Sequence, residues 1–286
     1  MTAILRAPAA GTTRSSDASF VTDAKGRSYE AALSSAFDTT NAAFLTEAPS
    51  HDASGTTACV VLKVEGALYV ANCGDSRAVL CSRQHAAAAQ PESETLLVEQ
   101  LTTDQRPDNE EEYERIEAAG GEVFDAGDGG GGRVVGPDNV SMLACARSIG
   151  DRLFKSTQPP LVPCTPQTST RPLFSAEVKA DELWPALTLA VTLTLTPTLT
   201  QHLTQVEASE LCPALYCTPW FALIASDGVW DVLTNERACK LASDVLRRSY
   251  ARGLDVVDAA ARAVCDAALA AGSEDNISAV VLLLDS

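Results

Sequence analysis

The stretch FALIASDGVWD, Phe221 to Asp231, sets an uninterrupted apolar run against two carboxylates separated by a Gly-Val-Trp turn. Phe221 to Ala225 reads as a strand buried on both faces, whereas Asp227 and Asp231 are too polar to follow it into a core. An acid at the exit of a buried strand is held on a rigid element and faces solvent. That placement suits a hard cation better than it suits packing.

Downstream of this turn, Thr234 is positioned to cap a helix running to about Tyr250. Asp255 is positioned to cap a second one ending at Ala271 before Gly272. GSEDNIS then leads into a last buried strand, Ile277 to Leu284. Upstream, ACVVLKVEGALYVANCGDSRAVLCS contains β-rich runs at Ala58 to Val64, Ala67 to Ala71 and Ala78 to Cys81. Turns at Glu65-Gly66 and at Cys73-Gly74-Asp75 predict an antiparallel meander. Leu96 to Leu101 is a further strand ending at Thr103-Asp104. Asn109 to Ala119 has acids in its first turn and Gly120-Gly121 just past its end, the polarity that a helix macrodipole favours. Ser28 to Ala48 repeats apolar residues at helical intervals. Helices thus segregate from strands instead of alternating with them, which predicts an α+β layered architecture with antiparallel sheets.

Size and composition narrow the class. A chain of 286 residues with 46% apolar content is long enough for one catalytic domain, taken as residues 27 to 286 behind a disordered segment at 1 to 26. A formal charge of −17 argues against nucleic acid or an anionic membrane as partner and suits divalent cations or basic peptide segments. Nine scattered cysteines without a CxxC pair read as reduced cytoplasmic or nuclear thiols and not as a zinc site. The first residues carry Arg and Ser and no acid before Asp17, so organelle targeting stays open. Leu183 to Thr200, LWPALTLAVTLTLTPTLT, is uncharged but crowded with threonine and broken by Pro185 and Pro197, so it does not read as a membrane span. It belongs to an irregular low-complexity insertion at about 183 to 220. Gly127, Gly129 and Gly132 spell GxGxxG, but Arg133-Val134-Val135 after them reads as strand, which excludes a dinucleotide loop.

Four aspartates share one setting. Asp104 follows a strand, Asp227 and Asp231 flank the turn, and Asp275 precedes the last strand. If those strand ends converge, the mutual repulsion of the carboxylates calls for cations among them. Oxygen ligands without His or Cys select Mg²⁺ or Mn²⁺, and two such ions can activate a water for attack on phosphorus. Asp227 and Asp275 are equally well read as turn residues, as Asp-Gly and Asp-Asn often are.

Read in order, SGTTA (Ser54 to Ala58), ANCGDSRAVL (Ala71 to Leu80), LTTDQRP with ERIEAAGGEV (Leu101 to Val123), ARSIGD (Ala146 to Asp151), ASDGVWDVL (Ala225 to Leu233) and GSEDNIS (Gly272 to Ser278) resemble the successive motifs of the PPM, or type 2C, metal-dependent serine/threonine protein phosphatases. The resemblance implies two packed antiparallel β-sheets flanked by helices and a centre of two Mg²⁺ or Mn²⁺ ions. It also implies phosphorylated proteins as substrates, hydrolysed by a metal-activated water, and a monomer. Asp227 and Asp275 match family metal ligands, while Asp104 and Asp231 match acids of a further, weaker metal site. Gly74-Asp75-Ser76-Arg77, Arg147 and Gly150-Asp151 match motifs with no catalytic role assigned.

Two departures qualify this. The family's Asp-Gly-His-Gly-Gly element, whose aspartate bridges both metals, has no counterpart here. Asp38 in FDTT and Asp52 in HDASG do not replace it. The Thr/Leu tract separates Asp181-Glu182 from Phe221, which the family joins directly. The expectation is therefore weakened metal binding and poor hydrolysis, with missing N-terminal strands. The alternatives are a pseudophosphatase acting as a binding module and a fragment of an incomplete gene model.

Overall fold

The computed structural model describes residues 28–84, 95–127, 131–173, 217–248 and 254–284. The N-terminal segment and most of the expected insertion lie outside them. The described chain comprises α1 (Tyr29–Glu47), β1 (Gly55–Thr56), β2 (Ala58–Val64), β3 (Ala67–Cys73), β4 (Arg77–Gln84), β5 (Thr95–Gln100), α2 (Glu110–Ala118), β6 (Val123–Asp125), β7 (Gly132–Val135), β8 (Met142–Leu143) and β9 (Ile149–Gly150). A 3₁₀ turn (Arg152–Lys155), β10 (Gln167–Pro172), β11 (Cys217–Ala225), α3 (Asp227–Trp230), α4 (Asn235–Arg248), α5 (Leu254–Ala270) and β12 (Ala279–Leu283) complete it. The strands form sheets ordered β1-β9, β10-β3-β2, β12-β11-β4-β5 and β6-β7-β8. Pairings within β1-β9, β12-β11-β4-β5 and β6-β7-β8 are antiparallel, so the α+β class with antiparallel sheets and helices stands.

Local signals place the helices. The Ser28 side chain accepts from the Ala31 amide at the start of α1, and the Asn109 side chain accepts from the Glu111 amide at the start of α2. The Thr234 hydroxyl accepts from the Arg237 amide and opens α4 as expected. α5 begins at Leu254, one residue before Asp255. Glu65 and Gly66 both have positive φ, 46° and 77°, the geometry of a two-residue hairpin loop between β2 and β3.

One expectation fails at Gly74. β4 does not extend the β2-β3 meander: β3 pairs in the sheet with β2 and β10, and β4 joins β11 and β5. Gly74 has φ 111°, and a Cβ there would lie 2.3 Å from the Thr57 methyl, so only glycine lets the chain make this turn.

The chain divides into two compact units assembled from alternating segments. The first holds Met1–Val60, Tyr69–Gly74 and Gln105–Thr170; the second holds Val61–Leu68, Asp75–Asp104 and Arg171–Ser286. In the first, Ile116, Val134, Ala146, Phe154, Leu161 and Val162 form a core, and Phe37, Ala71 and Cys73 form another. The buried Glu112 carboxylate is offset by two arginines, Arg115 at 2.8 Å and Arg147 at 2.6 Å. Removing both cations would strand a charge in low dielectric.

In the second unit, β11 is paired on both edges. Leu223 lies opposite Val281 of β12 and Val79 of β4. β11 begins at Cys217, so Cys217 to Trp220 belong to the sheet and not to the irregular insertion. The register shifts between Pro219 and Phe221, next to a proline that has no amide to donate. Alternate residues Phe221, Leu223 and Ala225 join Val79, Cys81 and Val281 in a core closed by Ala238, Cys239 and Ala242 of α4 and by Ala260, Val264 and Ala268 of α5. The spacing of those helix residues is that of one buried helical stripe. Cys81 and Cys239 are joined in a disulfide with Cα atoms 6.5 Å apart, which departs from the expectation of uniformly reduced thiols. The sheet's edge strands keep partly exposed apolar residues, Leu97 on β5 and Val280 and Leu283 on β12.

Phe221 is fully buried at the centre of this core. Phe221→Ala is expected to lower stability by about 3–5 kcal/mol through lost burial and the residual cavity, read from the urea midpoint.

Candidate functional site

All four aspartates singled out in the sequence lie in the second unit. β11 ends at Ala225, and the chain turns at once into the single helical turn α3. There the Asp231 amide donates to the Asp227 carbonyl at 2.8 Å. The turn is anchored from inside: Trp230 is buried, and its indole N–H donates to the Ala225 carbonyl at 2.9 Å. Trp230 is thus a core residue, which leaves Asp227 half-buried and Asp231 exposed at the rim.

The loop carrying Asp275 is bound to this turn by Ser226. Its amide donates to the Ser278 carbonyl at 3.1 Å, its hydroxyl donates to the Asn276 carbonyl at 2.9 Å, and the same hydroxyl accepts from the Ser278 amide at 3.1 Å. Gly228 completes the fit. A Cβ there would lie 2.6 Å from the Asn276 carbonyl oxygen and 3.5 Å from the Asp275 Cβ. The absence of a side chain is what lets the two acidic loops approach. Asp227 accepts from the Gly228 amide at 2.9 Å, and Asp275 accepts from the Asn276 amide at 2.6 Å. The structure therefore brings Asp227 and Asp275 together on adjoining loops, and both also act as turn residues.

Asp104 has a different setting. Arg77, the first residue of β4, is opposite Ala225 in the β4-β11 register and so stands beside the turn. Its Nε donates to Asp104 Oδ1 at 2.9 Å, and its Nη2 donates to Asp104 Oδ2 at 2.6 Å. Its Nη1 donates to Asn235 Oδ1 at 2.7 Å, and its guanidinium carbon lies 5.2 Å from the Trp230 ring centre. Asn235 in turn donates to Gln100 Oε1 at 2.9 Å. A cleft of about 360 Å³ opens here, lined by Arg77, Trp230 and Asp231 and by Thr234, Asn235 and Glu236 at the start of α4. Sequence reasoning missed Arg77 and Asn235. The one available signal for Arg77 was its place in GDSRAV, directly after a turn.

The residues do not fit a centre of two ions. Among the described residues no group of three or more His, Cys, Asp or Glu side chains could hold a metal. Asp227 and Asp275 offer two carboxylates, and Asp104 is committed to Arg77. Asp38 and Asp52 are engaged elsewhere. Asp38 accepts from the Cys164 thiol at 3.5 Å, and Asp52 accepts from the Ser54 amide at 2.8 Å, its carboxyl held below the usual range by the Ser54 hydroxyl first and then by that amide. Thiol chemistry has no support either. Burial pushes Cys73 up to about 12 and also raises Cys164, Cys217 and Cys265, the direction opposite to that of an activated thiol.

Comparison with known proteins agrees with this architecture. A family model, protein phosphatase 2C, matches residues 6–184 and 219–277. Probable protein phosphatase 2C 68 of Oryza sativa subsp. japonica is 35% identical over 228 residues, covering 80% of this chain and 44% of the rice protein. Protein phosphatase 2C 77 of Arabidopsis thaliana is 31% identical over 272 residues, covering 89% of this chain and 48% of that protein. The chain thus spans about half the length of the curated relatives it matches. The serine-threonine phosphatase 2C of Toxoplasma gondii superposes with a TM-score of 0.60 at 18% identity, covering 90% of this chain and 67% of that one, and so shares the fold. On the match of the family model to most of its length, the chain belongs to the protein phosphatase 2C family.

Proposed function

We propose that this chain removes phosphate from phosphoserine and phosphothreonine in proteins, with Mg²⁺ or Mn²⁺ as the cation it recruits. The observation that carries the reading is the lock between the Asp227 turn and the Asp275 loop. Ser226, Gly228 and Asn276 hold two family-matched acids on rigid elements at the end of a buried strand. Two carboxylates suit a hard divalent cation held weakly, since affinity for such ions falls with the number of charged ligands. Asp231, exposed at the C-terminal end of the same turn, is a further acid in reach of solvent.

A second reading is that of a binding module that keeps the fold and hydrolyses poorly. The proposed partners are phosphorylated proteins in the cytoplasm or nucleus, met by a monomer. Among the described residues no helix is long and apolar enough to cross a membrane.

Phosphate release from a phosphothreonine peptide, followed with and without Mn²⁺, separates the two readings. The expected outcome is slow release that a chelator abolishes and that Asp227→Asn and Asp275→Asn each lower about 100-fold, the scale of a lost interaction with developing charge. Release that ignores both substitutions and the chelator overturns the hydrolytic reading. Absence of release in a folded chain favours the binding module. Gly228→Ala is expected to cost about 1–3 kcal/mol by forcing the Asn276 carbonyl away, and to lower Mn²⁺-dependent release along with it. Urea unfolding and the same peptide assay check both effects.

A further inference from the structure

We propose that Arg77 is the resident counter-cation of Asp104: a positioning residue that occupies both carboxylate oxygens and withholds this acid from divalent metal. The inference concerns the ligand set assigned under the proposed function, but it is a statement about binding and holds whether or not the chain hydrolyses phosphoesters.

Both Asp104 oxygens are taken by a fork-on-fork pair at 2.9 and 2.6 Å, the strongest geometry open to a carboxylate and a side-chain cation. The pair is well shielded, with the Asp104 side chain 13% exposed and the Arg77 side chain 19% exposed, so solvent weakens it less than it would a surface pair. The guanidinium is not free to swing away. Its third donor is fixed by Asn235 at the start of α4, and it lies 5.2 Å from the centre of the buried Trp230 ring.

A divalent ion approaching Asp104 would have to displace this pair or share its oxygens with it, and in either case would sit beside a fixed positive charge. A side chain that merely filled space would impose neither cost. The acids that line the cleft are Asp231 and Glu236, while Asp104, paired with Arg77, is not among its lining residues. The same contact gives Arg77 a structural consequence, because it ties the loop after β5 to the Asp227–Asp231 turn and to α4 through one planar group.

The test is Mn²⁺ titration of the full chain, with unbound Mn²⁺ counted by its electron paramagnetic resonance signal. Wild type and Asp104→Asn are expected to bind alike. Arg77→Gln is expected to bind about ten-fold more tightly, because removing a unit charge at contact distance favours the incoming cation. The gain should vanish in the Arg77→Gln/Asp104→Asn double variant, and Arg77→Lys, which keeps the charge, should stay near wild type. The proposal is overturned if Asp104→Asn alone weakens Mn²⁺ binding, if a folded Arg77→Gln shows no gain, or if Arg77→Lys gains as much as Arg77→Gln. Circular dichroism reports folding. Should Arg77→Gln not fold, the comparison of wild type with Asp104→Asn decides on its own. Loss of peptide hydrolysis with an unchanged titration pattern would count against the proposed function and not against this inference.

Discussion

A strand hydrogen-bonded along both edges and packed on both faces can present a polar side chain only where it ends. β11 is such a strand: β12 and β4 take its backbone, and Phe221, Ala222 and Leu223 are fully buried. Phe221, Leu223 and Ala225 are committed to the core, and the first polar side chains after them are Ser226 and Asp227. The remaining parts of the site are arranged around that exit. The last loop is hydrogen-bonded to Ser226, Trp230 is folded back onto the Ala225 carbonyl, and Arg77 sits opposite Ala225 because the register of β4 places it there. Shifting that register by one residue would move Arg77 to the other face of the sheet and dissolve the cluster.

What could be read from the sequence was what short-range physics controls. Ser28, Asn109 and Thr234 announce helix starts because a cap involves residues two or three apart. The apolar run of β11 and the Glu65-Gly66 turn announce themselves for the same reason. Asp227 and Asp275 were legible as a pair through family motifs, and the structure joins their loops. What was not legible depended on pairing across long separations. The switch of sheets at Gly74, the Cys81–Cys239 bridge over 158 residues and the hydrogen bond from Arg77 to Asn235 all follow from which strand lies beside which. Composition and periodicity carry no record of that choice.

The charge argument shows the same limit in a sharper form. Four acids near strand ends in a chain of net charge −17 called for cations, and metal ions seemed the natural supply. The fold answers part of that demand internally. Asp104 is neutralised by Arg77, and Asp227 and Asp275 each take a backbone amide from the residue that follows. The source of the charge that compensates Asp104 depends on a contact between β4 and the loop after β5. An arginine one residue into a strand gives no hint of it.

This internal compensation separates folding from metal binding. If the acids of the second unit depended on divalent ions to approach one another, a chain with a reduced ligand set would splay its loops apart at the end of β11. Here the hydrogen bonds of Ser226 and the Arg77 fork hold those loops, and the core of Phe221, Leu223, Val264 and Ala268 lies behind them. A member of the family can therefore keep the architecture of the Asp227–Asp275 end while its affinity for cations drifts.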